Sequence, residues 1–194
     1  MKLTLKTGTN NWERFEQRKK NPLFKKIRAD VLYRDHFTCQ YCYHESQELE
    51  VVNIDNDYHN NKSANLASAC ELCAKCTLLD GYSLDYTGAD KMIYLPEMLQ
   101  EQVNQLCRVL FCKMTEEGEG AYNAKMILAQ LQDRATWLDE KAGCALSQPA
   151  IYSLYCHQQN KDPQLIQQLR WLPAPESFKD SVERWKVELE AMVD

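Results

Sequence analysis

The stretch that decides the fold is residues 39–76, which read CQYCYHESQELEVVNIDNDYHNNKSANLASACELCAKC. Two Cys-x-x-Cys pairs stand in it, Cys39 with Cys42 and Cys70 with Cys73, separated by 27 residues. Pairs at this spacing are typical of proteins in which two tight turns present four thiolates to one tetrahedral zinc ion. Because four protein ligands complete the coordination of zinc, we expect one structural zinc ion with no position left for water or substrate.

Two alternatives for the ligand set remain open. Cys73 and Cys76 are also a Cys-x-x-Cys pair, and His44 is a further possible ligand. We favour Cys70 with Cys73, because a short helix capped by Ser63 and ending at residue 69 is expected to deliver Cys70. The remaining cysteines have no metal-ligand spacing and are expected in the core: Cys107, Cys112, Cys144 and Cys156.

Composition and charge exclude several classes of function. The chain has 194 residues, of which 44% are hydrophobic and 26% charged, as in an ordinary globular protein. Its net charge of −5 opposes general coating of nucleic acid, although residues 14–34 carry eight Lys or Arg against Glu16 and Asp30. No apolar run is long enough to span a bilayer, and no signal-like apolar segment follows Leu5, so a cytoplasmic protein is expected.

Hydrophobic periodicity predicts the elements around the cysteines. Asn21 and Pro22 start a helix that ends at Asp35, and residues 2–6, 49–54 and two segments within 82–95 are predicted strands. From Pro96 onward every element is predicted to be helical, including residues 121–142, two helices capped by Ser147 and Asp162, and a last helix over 178–192. The expected fold is α+β: a zinc-bound module at residues 1–95, then an all-helical half at 96–194 that packs on it, with one continuous domain left open.

Residues 20–80 resemble the zinc-containing HNH endonucleases. The resemblance rests on Arg28, on Arg34-Asp35, on the two cysteine pairs and on Asn65-Leu66. It implies a treble-clef-like ββα module. In that family a histidine ends the first strand and activates water, while a residue beside it and another just after the last cysteine pair hold a divalent cation.

The family's catalytic positions fall here on Asn53, Val52 and Ala74. An amide does not accept a proton near neutral pH, and neither valine nor alanine binds a cation. Asn65 matches a family residue that orients the loop and performs no chemistry. His59 is a lone loop histidine and is expected to be solvated. We therefore expect no enzyme activity, no catalytic residue and no Mg²⁺.

Over essentially its full length the chain is similar to a family of subunits of the Dot/Icm type IVB secretion system, with a basic N-terminal helix and Leu95-Pro96-Glu97 among the shared features. The resemblance implies an adaptor of the type IV coupling complex at the cytoplasmic face of the inner membrane. Its partners would be the C-terminal extension of the coupling ATPase DotL and other subunits of that complex, which together receive effector proteins. The alternatives are a divergent HNH nuclease and a zinc protein that binds nucleic acid without cleaving it; nucleic acid is the less favoured partner.

A partner helix or peptide needs a groove with apolar anchors at helical spacing. The 103–111 face and the seam of the last helix supply such anchors, and large aromatic residues dominate interfaces. Core packing explains the same residues equally well. The candidate anchors are Trp171, Phe178, Trp185 and Leu189, with Tyr41 and Tyr43 beside the first cysteine pair.

Overall fold

The first structural unit, Met1–Leu84, begins with two helices, α1 (Asn11–Lys19) and α2 (Pro22–Arg34). The structure is a computed structural model that describes residues 1–190. Helix α2 starts as predicted, because the Asn21 side chain accepts a hydrogen bond from the Leu23 N–H and Pro22 occupies the first turn. Helix α1 was not predicted: its buried residues are Asn11, Phe15 and Arg18, so its core face carries little hydrophobic signal.

Strands β1 (Glu50–Asn53) and β2 (Leu66–Ala69) form an antiparallel pair in which Val51 lies opposite Ser68, and helix α3 (Glu71–Cys76) follows. The prediction of a strand over 49–54 is confirmed. The predicted helix from Ser63 to residue 69 is wrong, because only a 3-10 turn, Ser63–Asn65, precedes β2. All four residues of β2 are buried, so this strand lacks the alternation that would reveal it.

The predicted strand over residues 2–6 is also wrong. No strand forms over this segment, and its backbone bonds join it to the end of α3 and the residues that follow: the Lys6 N–H donates to the Cys76 carbonyl at 2.9 Å, and the Leu79 N–H donates to the Lys6 carbonyl at 3.2 Å. Leu3 is buried. The alternating pattern therefore reported burial correctly and strand pairing incorrectly.

The second unit begins at Asp85 and contains a strand pair surrounded by helices. Its elements are β3 (Lys91–Tyr94), α4 (Gln100–Met114), α5 (Glu119–Ala142), α6 (Pro149–Cys156), α7 (Pro163–Gln168), β4 (Leu169–Leu172) and α8 (Lys179–Glu190). Strands β3 and β4 pair antiparallel, with Met92 opposite Trp171. The expectation of an all-helical C-terminal half is thus wrong, and β3 belongs to the second unit although it precedes residue 95.

Several helix ends follow the sequence and others do not. Helix α5 ends at Gly143, whose φ of 68° is left-handed, and Asp162 caps α7 through the N–H groups of Gln164 and Leu165. Helix α4 starts at Gln100 and not at Pro96. Ser147 does not cap α6; its N–H and hydroxyl donate to the Asp139 carboxylate. Of the two strands predicted within 82–95, only β3 forms.

The core of the second unit is built from aromatic rings. The Phe178 ring stacks on Trp185 at 5.9 Å between centroids and meets Trp171 edge-on at 6.2 Å. Both tryptophans are at most 1% exposed and Phe178 is 9% exposed, so the structure gives these three residues the core positions that the sequence had left open as the alternative. Leu189 is half-buried, and Met192 lies outside the described residues.

Candidate metal centre

The first cysteine pair lies on a tight hairpin turn. The Cys39 N–H donates to the His44 carbonyl at 2.8 Å, and the Tyr43 N–H donates back to the Cys39 carbonyl at 2.9 Å. Tyr43 closes the turn with a φ of 60°, and a bridge between Thr38 and Glu45 joins the two arms. The turn directs both cysteines inward while Tyr43 is exposed; Tyr41, expected beside it on the surface, is buried.

The second pair is positioned by the junction of β2 and α3. Cys70 immediately precedes α3, Cys73 lies one turn into the helix, and the Ala74 N–H donates to the Cys70 carbonyl at 2.8 Å. The Gln40 N–H donates to the Ser68 carbonyl at 2.9 Å, which ties the first turn to β2. Strand β2 therefore delivers Cys70, where the sequence analysis had expected a helix to do so.

The two pairs meet in one buried group, here called the four-cysteine site: Cys39, Cys42, Cys70 and Cys73. Their four Sγ atoms lie within 4.8 Å of one another, and the Sγ atoms of Cys42 and Cys70 are 3.6 Å apart. Tetrahedral zinc with Zn–S bonds of about 2.3 Å holds its sulfur atoms about 3.8 Å apart. The site therefore has the size and the donor set for one tetrahedral metal ion.

Electrostatics within the site also favour a cation. The pKa of Cys70 and that of Cys73 lie well above the usual value, because contacts with the sulfurs of Cys39 and Cys42 raise both and burial adds to this. Contact with Cys42 acts to raise the pKa of Cys39, but hydrogen bonds from Cys70 and Cys73 lower it overall. Four thiolates this close together in a buried site repel one another, so they require a positive ion between them.

The alternative ligands lie outside this group. The Cys76 Sγ is buried and donates to the Leu72 carbonyl at 3.3 Å. His44 contributes its backbone carbonyl to the first turn, as described above, and its side chain is not part of the cluster. Of the cysteines expected in the core, Cys107 and Cys112 are buried, Cys156 is half-buried and Cys144 is exposed, so that expectation is wrong for Cys144.

Asn53, which the resemblance to HNH nucleases aligns with their general base, is a fully buried structural residue. Its Nδ2 donates to the carbonyls of Asp57 and Asn60, both at 2.8 Å, and its Oδ1 accepts from Arg18 Nη1. Both amide hydrogens and the acceptor oxygen are therefore engaged within the protein. The side chain orders the loop after β1 and is shielded from solvent.

Arg18 is a structural residue of this region that the sequence analysis missed. Its Nη1 also donates to Asn61 Oδ1 at 3.0 Å, its Nη2 donates to the Val51 carbonyl, and its guanidinium lies 4.3 Å from the Phe24 ring centroid. Burial lowers the pKa of Arg18 to about 10, which leaves it charged at neutral pH. The available signal for its burial was its position three residues after Phe15, which places both side chains on one face of a helix. The high positive charge of the segment instead suggested a solvent-exposed arginine.

The two positions that the resemblance to HNH nucleases aligns with cation ligands, Val52 and Ala74, offer no ligand atoms. Val52 and Ala74 are apolar and at most 3% exposed. Asn65 Nδ2 donates to Asp55 Oδ1 and to the Asn60 carbonyl, both at 2.8 Å, and so orients the loop. His59 is exposed. Within residues 1–190, the group of side chains that could hold a metal is the four-cysteine site, and it does not include these positions.

Comparison with known proteins identifies a relative of this chain. No protein-family model matches it. It is 31% identical over 189 residues to the Type 4 apparatus protein DotN of Legionella pneumophila subsp. pneumophila (strain Philadelphia 1), covering 94% of this chain and 88% of the relative. The chain belongs to the DotN family. The similarity to the Dot/Icm family is thereby confirmed, and the name of the DotN relative describes a protein of a type 4 apparatus. In the described part of this DotN-family chain, no helix has the length and apolar character needed to cross a bilayer.

Proposed function

We propose that this protein is a structural adaptor of a type IV coupling complex, bound to the C-terminal extension of the coupling ATPase DotL at the cytoplasmic face of the inner membrane. In that position it would help to build the platform that receives effector proteins. The observation that carries the proposal is the 31% identity to a DotN protein over 94% of this chain. Membership of that family favours a role in assembly over independent enzymatic activity.

The geometry at Asn53 supports an adaptor over a divergent HNH nuclease. A general base needs a free acceptor within reach of water, whereas Asn53 is buried and hydrogen-bonded to Arg18 and to two backbone carbonyls. A cation beside it would have Val52 and Ala74 as neighbours in place of ligands. The ββα order of β1, β2 and α3 then remains as an HNH-like scaffold without the nuclease chemistry.

Zinc is the ion that we propose for the four-cysteine site. Four thiolates are a typical zinc donor set, and Cys39, Cys42, Cys70 and Cys73 would hold the ion between the first turn and α3. Bound there, zinc supplies a cross-link and no open coordination position. The small first unit, with two short strands, gains stability from such a cross-link.

A cleft in the second unit is the proposed seat of the partner segment. It has a volume of about 330 Å³ and lies between the end of α4 and the start of α8. Phe111, Met114, Pro175 and Val182 line it with apolar surface, and Glu176, Lys179 and Glu183 supply charges. A short extension with an apolar side chain beside a basic residue fits this combination. The cleft adjoins the buried aromatic residues that the sequence analysis had assigned to the interface itself.

The test is affinity capture of the tagged full-length chain from detergent-solubilised inner membrane of its native cell, with the bound proteins and zinc quantified. We expect the coupling ATPase in stoichiometric amount and about one zinc ion per chain. Met114→Glu places a charge in the cleft and should abolish capture of the ATPase. Met126→Glu makes the same change on the exposed side of α5 and should retain it.

The outcomes separate the parts of the proposal. If the wild-type chain captures no coupling ATPase, the adaptor role is wrong. If Met114→Glu captures as much ATPase as the wild type, the cleft is not the binding site. Capture of nucleic acid in place of the ATPase would favour a nucleic-acid-binding zinc protein.

A further inference from the structure

The basic segment of residues 14–34 leaves three exposed cations that make no bond to the rest of the described protein. Five of its eight cationic side chains bond within the first unit: Arg14 to the Thr9 carbonyl, Arg18 to Asn53, Lys19 to Glu16 and Glu50, Arg28 to the Leu49 carbonyl, and Arg34 to Asp35. Lys20, Lys25 and Lys26 are exposed, and no carboxylate of the described chain pairs with them. These three lysines are therefore the cations of the segment that remain available to a partner.

Helix α2, which carries Lys25 and Lys26, also exposes two large apolar side chains. Leu23 and Tyr33 are each 77% exposed, the highest values among the large hydrophobic side chains that the structure describes. At 3.6 residues per turn, Leu23, Lys26 and Tyr33 fall within an arc of about 80° on α2, opposite the buried Phe24 and Val31. Lys25 lies about 80° beyond Tyr33 around the helix, and Lys20 precedes the first residue of α2, so these two lysines flank the arc. We call Lys20, Leu23, Lys25, Lys26 and Tyr33 the α2 face. Asp30 lies within the arc, so the net charge of the α2 face with this carboxylate included is +2.

We infer that the α2 face contacts a membrane surface rich in anionic lipid. Exposed lysines beside an aliphatic and an aromatic side chain are the composition of helices that lie in the headgroup region, where apolar side chains enter the interface and lysines approach lipid phosphates. Leu23 and Tyr33 are about 15 Å apart along the helix axis, so both reach one planar surface.

Charge complementarity favours a lipid surface over nucleic acid. Most proteins that grip a phosphate backbone use arginine as well as lysine, whereas all three arginines of residues 14–28 point to partners in the protein. An exposed leucine adds nothing to phosphate binding but adds affinity at a lipid interface. Because the whole chain carries −5, an anionic bilayer repels the rest of it and orients the α2 face inward. This contact is independent of the proposed ATPase partner and would add to it as a second anchor.

The experiment is sedimentation of the zinc-loaded full-length chain with vesicles of phosphatidylcholine, with and without phosphatidylglycerol. We expect binding to the anionic vesicles only, and loss of binding at high salt. The double variant Lys25→Gln/Lys26→Gln should lower the partition coefficient by at least about tenfold. The matched control, Lys125→Gln/Lys141→Gln, removes the same charge from exposed positions of α5 and should bind as the wild type does.

A second pair of variants tests the apolar contribution. Tyr33→Ser should weaken vesicle binding, whereas Tyr122→Ser, at a tyrosine 63% exposed on α5, should not. The inference is overturned if the wild type does not bind anionic vesicles, or if Lys25→Gln/Lys26→Gln binds them as tightly as the wild type. It is also overturned if a short DNA duplex binds more tightly than the vesicles and Tyr33→Ser leaves both unchanged. Because no ATPase is present, failure here leaves the adaptor proposal standing.

Discussion

The Arg18 guanidinium, on α1, donates a hydrogen bond to the Oδ1 of Asn53, the last residue of β1. This contact joins the N-terminal helix to the strand pair that carries the four-cysteine site. It also places a positive charge beside Asn53, the residue that the resemblance to HNH nucleases aligns with their general base. The Asn53 side-chain oxygen is thus occupied by an internal arginine.

We expect Arg18→Gln to destabilise the first unit by about 3 kcal/mol, because it leaves Asn53 Oδ1, Asn61 Oδ1 and the Val51 carbonyl without their donor. Urea unfolding, followed by release of zinc to a chelating dye, measures the effect. Arg14→Gln is the control, since Arg14 makes one exposed bond to the Thr9 carbonyl and its loss should cost less than about 0.5 kcal/mol. Equal effects of the two substitutions would show that the buried contact contributes nothing special.

Asn53→His should not create a nuclease. Val52 and Ala74 supply no ligand that would hold a cation beside the new imidazole. The variant should also be less stable, because the imidazole cannot replace the Asn53 amide group, which donates to the carbonyls of both Asp57 and Asn60. Nicking of supercoiled plasmid with Mg²⁺ or Mn²⁺ is the assay. Metal-dependent nicking by the unmodified protein that disappears in Asn53→Ala would contradict the assignment.

Cys39→Ser or Cys70→Ser should release the metal and unfold the first unit. Structural zinc contributes about 10 to 16 kcal/mol in small zinc fingers, which exceeds the stability of most domains. The measurements are metal content per chain and thermal unfolding. Cys76→Ser is the matched control: the residue is equally buried, and serine can keep the bond to the Leu72 carbonyl, so the metal should stay bound. Full metal content in Cys70→Ser together with loss in Cys76→Ser would move the ligand pair to Cys73 and Cys76.

Stability should fall in acid partly through Asp35. Burial acts to raise the pKa of Asp35, but hydrogen bonds from Arg34 and the Ser68 N–H outweigh it and hold the pKa below the ordinary 3.8. A lowered pKa in the folded state contributes stability above the unfolded pKa, and this is lost as pH falls through the folded pKa. Asp35→Asn should therefore reduce the free energy of unfolding at neutral pH and have a smaller effect below pH 3.8. Asp30→Asn, at an exposed position of α2, is the control, and an effect of Asp35→Asn that does not depend on pH would contradict the prediction.

In the second unit, Gln100 completes the hydrogen bonding of β4. Its Oε1 accepts from the Trp171 N–H at 2.8 Å, and its Nε2 donates to the Trp171 carbonyl at 2.9 Å, all buried. Gln100→Leu removes both of these buried bonds and should cost about 2 to 4 kcal/mol. Gln130→Leu, at an exposed position of α5, should be close to neutral in the same thermal unfolding experiment. A neutral Gln100→Leu would show that water replaces both bonds.

Local sequence was sufficient where the cause of a structure is local. Asn21 with Pro22 starts α2 and Gly143 ends α5, because a cap or a left-handed residue acts within one helical turn. The four-cysteine site could likewise be anticipated from spacing, since each turn positions its own pair of thiols. The sequence also predicted that Asn53 cannot act as the histidine base with which the HNH resemblance aligns it, because an amide lacks the required basicity.

Contacts between distant residues decided the rest. Strand β4 forms because Leu169–Leu172 pairs with a strand some 80 residues earlier, and β2 forms because Leu66–Ala69 is buried against β1. Trp171 and Trp185 looked like interface anchors, yet the packing of their unit encloses them. The sequence suggested that Arg18 is a surface cation, but in the structure it is buried against Phe24, Asn53 and Asn61. Burial and strand pairing depend on the whole folded chain. The identity of a residue restricts which positions it can occupy, but tertiary contacts decide which of those positions it takes.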